Sequence, residues 1–184
     1  MVITLSKLSI FLGLLVSAFG IFGLTNPTAY AASLRKFPRS QAWGYALVII
    51  ATGWFIWNVK NESISDFESM KPMLLSLFFA VGLGTCLFVK DFIAVRGLAA
   101  VFLLLAKVMV DTARWNESHW RLIIVTWAYF LVAFGVWFTI SPWRMRDILL
   151  WKTANEKRIR MGSGFRLAFG LLLLILGLTV FRAG

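Results

Sequence analysis

Apolar residues fall in six runs, approximately Leu5–Leu24, Trp43–Val59, Met73–Val89, Ile93–Val110, Leu122–Ile140 and Phe165–Phe181, and the stretches between them hold most of the charge. Runs of this length match the roughly 30 Å hydrocarbon core of a bilayer, so each predicts a transmembrane helix. Asn26-Pro27 ends the first run, Lys71-Pro72 opens the third and Ser141-Pro142 closes the fifth, because proline lacks an amide donor and clashes with the preceding turn. The third and fourth runs meet at Lys90-Asp91, a turn short enough to demand adjacent antiparallel helices. The expected fold is a single all-α integral membrane domain over 1–184, with six spans arranged as three hairpins.

The first and third hairpins resemble each other. Phe19-Gly20-Ile21 precedes Asn26-Pro27 at the spacing with which Phe134-Gly135-Val136 precedes Ser141-Pro142, and a leucine follows seven residues after each proline, at Leu34 and Leu149. With odd-numbered spans running the same way, this pattern reads as a parallel internal repeat of hairpins 1 and 3. The stretches Thr28–Lys36 and Trp143–Lys152 have room for short helices lying at the headgroups. The second mixes Trp143, Ile148, Leu149 and Trp151 with Arg144, Arg146 and Lys152, the composition of an interfacial anchor.

Charge orients the spans. Twelve of the nineteen Lys and Arg residues fall on one side: Arg35, Lys36, Arg39, Lys90, Arg96, Arg144, Arg146, Lys152, Lys157, Arg158, Arg160 and Arg166. Seven fall on the other, together with five of the eight acids. The positive-inside rule makes the first side cytoplasmic and puts both termini on the non-cytoplasmic side. Lys7, the apolar run and Ala29-Tyr30-Ala31 also resemble a secretory signal with its cleavage site. The cations at 35, 36 and 39 that follow favour a retained helix instead. Compactness and the lack of sorting signals point to a bacterial inner membrane.

Composition narrows the classes. The chain is 60% hydrophobic and 15% charged, with mean hydropathy +0.81, whereas soluble domains run near 45–50% apolar and 25% charged. The formal charge of +11 is spent at span ends, not on a basic face behind a polar fold, which argues against nucleic acid as a partner. Seven of the nine tryptophans lie at or near run boundaries, as an aromatic belt requires.

The candidate chemistry is sparse. Lys107 and Asp111 lie one helical turn apart in the fourth run and form a candidate intramembrane charge pair, serving an ion or proton relay or simply bridging near the outer interface with a snorkelling stem. Arg96, Arg144, Arg146, Lys152, Lys157, Arg158, Arg160 and Arg166 are candidate contacts for anionic lipid or an acidic partner. Gly13, Ser17 and Gly20 on the first helix, with Gly170 and Gly177 on the sixth, make small-residue faces for close helix packing. The lone histidine, His119, sits in a loop, and Cys86 is the lone cysteine. No metal or catalytic set is expected and no cofactor is implied, although a bound pigment or other hydrophobic ligand fits the composition. Asn61-Glu62-Ser63 and Asn116-Glu117-Ser118 have the form of glycosylation sequons, and Asp66 and Glu68 sit in a short outer loop.

These features favour a non-catalytic accessory or structural subunit, a scaffold within a larger membrane complex whose partners are lipids and other membrane subunits. The alternative is a small-solute or ion channel or transporter using Lys107 and Asp111, against which stands the nearly complete lack of polar residues along the spans.

Overall fold

The computed structural model describes residues 4–62 and 65–182. Ser63 and the Asp66 side chain lie outside the described residues. Helices are α1 (Leu5–Thr25), α2 (Pro27–Lys36), α3 (Gln41–Asn61), α4 (Lys71–Phe88), α5 (Ile93–Arg114), α6 (Arg121–Ile140), α7 (Pro142–Lys152) and α8 (Glu156–Leu178), with no strand among the described residues. Six of them, all but α2 and α7, are long and apolar enough to cross a membrane, which marks the chain as a multi-pass membrane protein.

The apolar runs locate these helices, and local chemistry sets their ends. Thr4, Ser40 and Asn155 cap α1, α3 and α8 by accepting from backbone amides one turn in. Asn155 accounts for the largest boundary difference. The apolar run begins at Phe165, whereas α8 begins at Glu156, so Lys157, Arg158 and Arg160 belong to helical turns and not to a loop. Hydropathy reports the apolar stretch of a helix and passes over its polar extension. At the other end α8 stops at Leu178, and Phe181 folds back, its amide bonded to the Leu176 carbonyl at 2.9 Å.

Pro27 and Pro142 are each the first residue of a short helix, α2 or α7, a position where the missing amide costs nothing. The Ala29-Tyr30-Ala31 sequence lies inside α2, with Tyr30 and Ala31 buried. Between α4 and α5, Phe92 adopts a left-handed backbone conformation (φ 53°), which reverses the chain within four residues.

The contacts group into two units. The first contains residues up to 36, 105–132 and from 146 onward; the second contains 37–104 and 133–145. In the first unit α1 and α8 run antiparallel in close contact. Nine α1 residues from Leu5 to Gly23 are buried, at intervals of three or one that trace a single stripe. Glycine lets the backbones touch: a Cβ built on Gly13 would lie 2.8 Å from the Gly170 carbonyl oxygen, and one on Gly170 would lie 2.7 Å from the Ser17 amide. Ser6 and Ser9 donate hydroxyl hydrogen bonds of 2.7 Å across the pair, to the carbonyls of Gly177 and Leu173. Trp127 of α6 meets Phe169 of α8 edge to face.

In the second unit α3 and the start of α5 lie parallel and exchange glycines. A Cβ on Gly44 would meet Ile93, and one on Gly97 would meet Leu47 and the Val48 amide. Gly135 of α6 provides a comparable approach to Leu103 and the Ala99 carbonyl. The antiparallel contact of α3 with α4 uses Thr52 against Gly82 and the Phe55–Phe78 edge contact. Gly82 is the single buried residue of α4.

Candidate functional site

Three places carry the residues singled out from the sequence. The first is the corner where α2 and α7 meet the start of α8. Arg35, near the end of α2, donates from Nε to the Thr153 hydroxyl at 2.9 Å and from Nη2 to the Thr153 carbonyl. Thr153 is buried, and its hydroxyl passes a hydrogen bond of 2.8 Å back to the Leu149 carbonyl. This ties α2 to the residues after α7. Tyr30, Ala31 and Ile159 form a small apolar cluster joined by Leu34. The Arg166 guanidinium donates to the Tyr30 hydroxyl and lies 5.8 Å from the centre of its ring.

Lys152 stands beside this lock, at the end of α7. Its stem is exposed, but the protein around it and, secondarily, the charge of Arg166 hold its pKa below the ordinary lysine value. The remaining cations are engaged separately. Arg146 pairs with Asp147 and Arg160 with Glu156, both at 2.8 Å. Arg158 lies over the Trp151 ring at 4.9 Å and reaches its carbonyl. Arg96, Arg144 and Lys157 are exposed. Thus, of the eight cations expected to meet anions, the structure ties Arg166 to Tyr30 and sets Lys152 next to the residue that Arg35 clasps; span-end charge counting could not distinguish Arg35 from its neighbours.

The second place is on α5. Lys107 Nζ lies 2.8 Å from Asp111 Oδ2. The side chains retain 47% and 56% exposure, so the pair sits on the outer surface of this helix and not in a buried pathway within it. Past the end of α5, Arg121 closes the α5–α6 connection by donating to the carbonyls of Asn116 (2.7 Å) and Arg114 (3.2 Å). Asn116 accepts from the Ser118 amide at 3.0 Å, shaping the same turn, and His119 follows it, exposed. Among the described residues no three His, Cys, Asp or Glu side chains gather closely enough to hold a metal ion.

The third place is an apolar groove of about 390 Å³ between α3 and α4, lined by Tyr45, Thr52, Gly53, Phe79, Gly82 and Cys86, among others. Its lining has the character of a surface for acyl chains or a neighbouring helix.

The five small residues expected to pack helices all lie in the α1–α8 contact: Gly13 and Ser17 against Gly170, Gly20 against Leu167, and Gly177 against Ile10. Sequence reading missed Ser6, Ser9, Gly23 and Ser163 in the same seam. A heptad interval would have found two of them, Ser6 and Ser163: Ser6, Gly13 and Gly20 lie seven apart, as do Ser163, Gly170 and Gly177. The Ser17 and Ser163 hydroxyls are buried with no hydrogen-bond partner among the described residues, so small size accounts for serine at these positions. The chain matches no known family model, curated protein or solved structure.

Proposed function

We propose that this protein is a non-catalytic scaffold or accessory subunit of a larger membrane complex, acting through helix packing. The observation that carries the reading is α4, a complete span on which only Gly82 is buried. Beside it, a Cβ added to Gly53 of α3 would meet nothing within 4 Å, and one on Gly84 would meet only the tip of Phe88 at 4.0 Å. Lipid tails gain nothing from glycine, whereas a second helix gains close backbone approach. The exposed Lys107–Asp111 pair fits the same reading, because a partner's polar groups shield such a pair better than hydrocarbon does.

The finer arrangement belongs to this proposal. It comprises three hairpins turning on the cytoplasmic side, both termini on the opposite side, a bacterial inner membrane, and hairpins 1 and 3 as parallel repeats. In support of the repeat, both prolines begin short helices of nearly equal length, 10 and 11 residues. Purification of the full chain from native membranes in mild detergent tests the function. A polytopic partner at fixed stoichiometry is the expected result. A monodisperse lone protein that conducts solutes or ions in liposomes, with flux lost on Lys107→Met, would establish the channel alternative in its place.

A further inference from the structure

Where α5 gives way to α6, a pocket of about 470 Å³ opens between the two helices, lined by Val110, Asp111, Arg114, Arg121, Leu122 and Val125 among others. Arg121 is held in place there. Its Nη1 donates to the carbonyls of Asn116 at 2.7 Å and Arg114 at 3.2 Å, which leaves Nε and Nη2 without an acceptor among the described residues. Arg114 is exposed, and its side chain makes no hydrogen bond or ion pair among the described residues. The acid in the lining, Asp111, is paired with Lys107 at 2.8 Å. Glu117, in the connecting turn, is exposed and makes no ion pair with either arginine among the described residues. The pocket therefore presents two guanidiniums with no carboxylate to balance them. Guanidinium forks recognise phosphate through paired hydrogen bonds, and basic pockets between spans take lipid headgroups.

The surroundings indicate where that phosphate comes from. Arg114 and Arg121 lie at the facing ends of α5 and α6. Val110 and Val125 each lie four residues further into a span, about 6 Å deeper at the helical rise. The exposed residues Trp115 and Trp120 flank the connection, as an aromatic belt at headgroup depth does. Leu122, also exposed, gives the pocket an apolar wall beside Arg121. At about 30 Å³ for a water-sized group, the volume exceeds a bare phosphate several times over and admits glycerol and the first methylenes of a chain. A choline headgroup suits the pocket poorly, because its quaternary ammonium would face two guanidiniums while Asp111 is already paired. We propose that Arg114 and Arg121 bind the phosphate of an anionic phospholipid, whose glycerol and upper acyl chain lie over Val110, Leu122 and Val125. This site is independent of the subunit reading and stands or falls without it.

Native mass spectrometry of the detergent-purified full chain, titrated with dioleoylphosphatidylglycerol, dioleoylphosphatidylcholine or inorganic phosphate, tests the site. One phosphatidylglycerol should be retained in preference to phosphatidylcholine. Arg114→Gln should weaken retention about fivefold, the effect of one cation near the membrane surface. Lys60→Gln, at an exposed cation near the end of α3 and outside the pocket, should leave it nearly unchanged. Because the Arg114 side chain makes no hydrogen bond or ion pair among the described residues, its substitution leaves the fold intact, and an unchanged Tm checks this. Equal losses at Arg114 and Lys60 would overturn the site in favour of diffuse attraction. Displacement of the lipid by inorganic phosphate at equal concentration would overturn the lipid source in favour of a soluble phosphoanion. Equal retention of phosphatidylcholine would overturn the anionic headgroup and the site with it.

Discussion

The α1–α8 pair and the α3–α4 pair are both antiparallel contacts between apolar spans, and they use small residues to opposite ends. Between α1 and α8, glycines and serines recur along the full length of the seam, the backbones touch, and two serine hydroxyls bridge to carbonyls. Between α3 and α4 the close contact is Gly82 against the Thr52 side chain, while Gly53 faces open space. In hydrocarbon the usual hydrophobic drive between helices is absent, so contact area and interhelical hydrogen bonds must hold a pair together. By that measure α1–α8 is a finished interface and α3–α4 an unfinished one.

The largest effect should come from putting the same side chain into both seams. Gly170→Val drives a Cβ against the Ser17 backbone amide and the Gly13 carbonyl, 2.7 and 3.0 Å away, where neither helix can yield without separating. The expected cost is about 3 kcal/mol, the upper part of the overpacking range, read as loss of the folded peak or a large fall in Tm in detergent. Gly82→Val meets Thr52 Oγ1, Cγ2 and Cβ at 2.4, 2.5 and 3.0 Å, and no rotamer of a β-branched side chain clears them. However, α4, with Gly82 its single buried residue, can shift, and the cost should be lower, about 1 kcal/mol. Equal costs would erase the distinction between the two seams.

A smaller effect isolates the hydrogen bonds. Ser9→Ala removes the 2.7 Å donation to Leu173 and should lower stability by about 1 kcal/mol, near the typical net value for one hydrogen bond. Ser17→Ala removes a hydroxyl with no partner among the described residues and should be close to neutral by the same thermal measurement. If both substitutions cost alike, size alone holds the α1–α8 seam.

The spans were the easiest feature to read from the sequence, because bilayer thickness forces a long apolar run and Pro27 and Pro142 mark two of its ends. Small-residue faces on α1 and α8 were legible too, since Gly13, Gly20, Gly170 and Gly177 break otherwise bulky runs. Which face meets which helix was not: α1 packs on α8, the helix farthest from it in sequence, and no local pattern encodes that choice. The polar start of α8 was obscured for a different reason. Lys157, Arg158 and Arg160 depress hydropathy without depressing helix propensity, so a charged helical extension looks like a loop. The α7–α8 corner depends on Tyr30 and Arg35, more than a hundred residues away in sequence. Counting cations by side therefore could not single out Arg35 or Arg166, whose partners the fold supplies from far along the chain.

The smallest change in stability belongs to Gly53→Leu, and it probes the comparison most directly. With nothing within 4 Å of a Cβ at this position, leucine has room, and replacing a mid-helix glycine removes a backbone-entropy penalty of roughly 0.5–1 kcal/mol. The isolated protein should therefore unfold at the same temperature or slightly higher. In native membranes the same variant should lose any partner whose helix approaches the α3–α4 face, because four added carbons hold two backbones apart. Retained stoichiometric partner together with unchanged Tm would mean that this face meets lipid alone, and the open side of α3–α4 would then be complete as it stands.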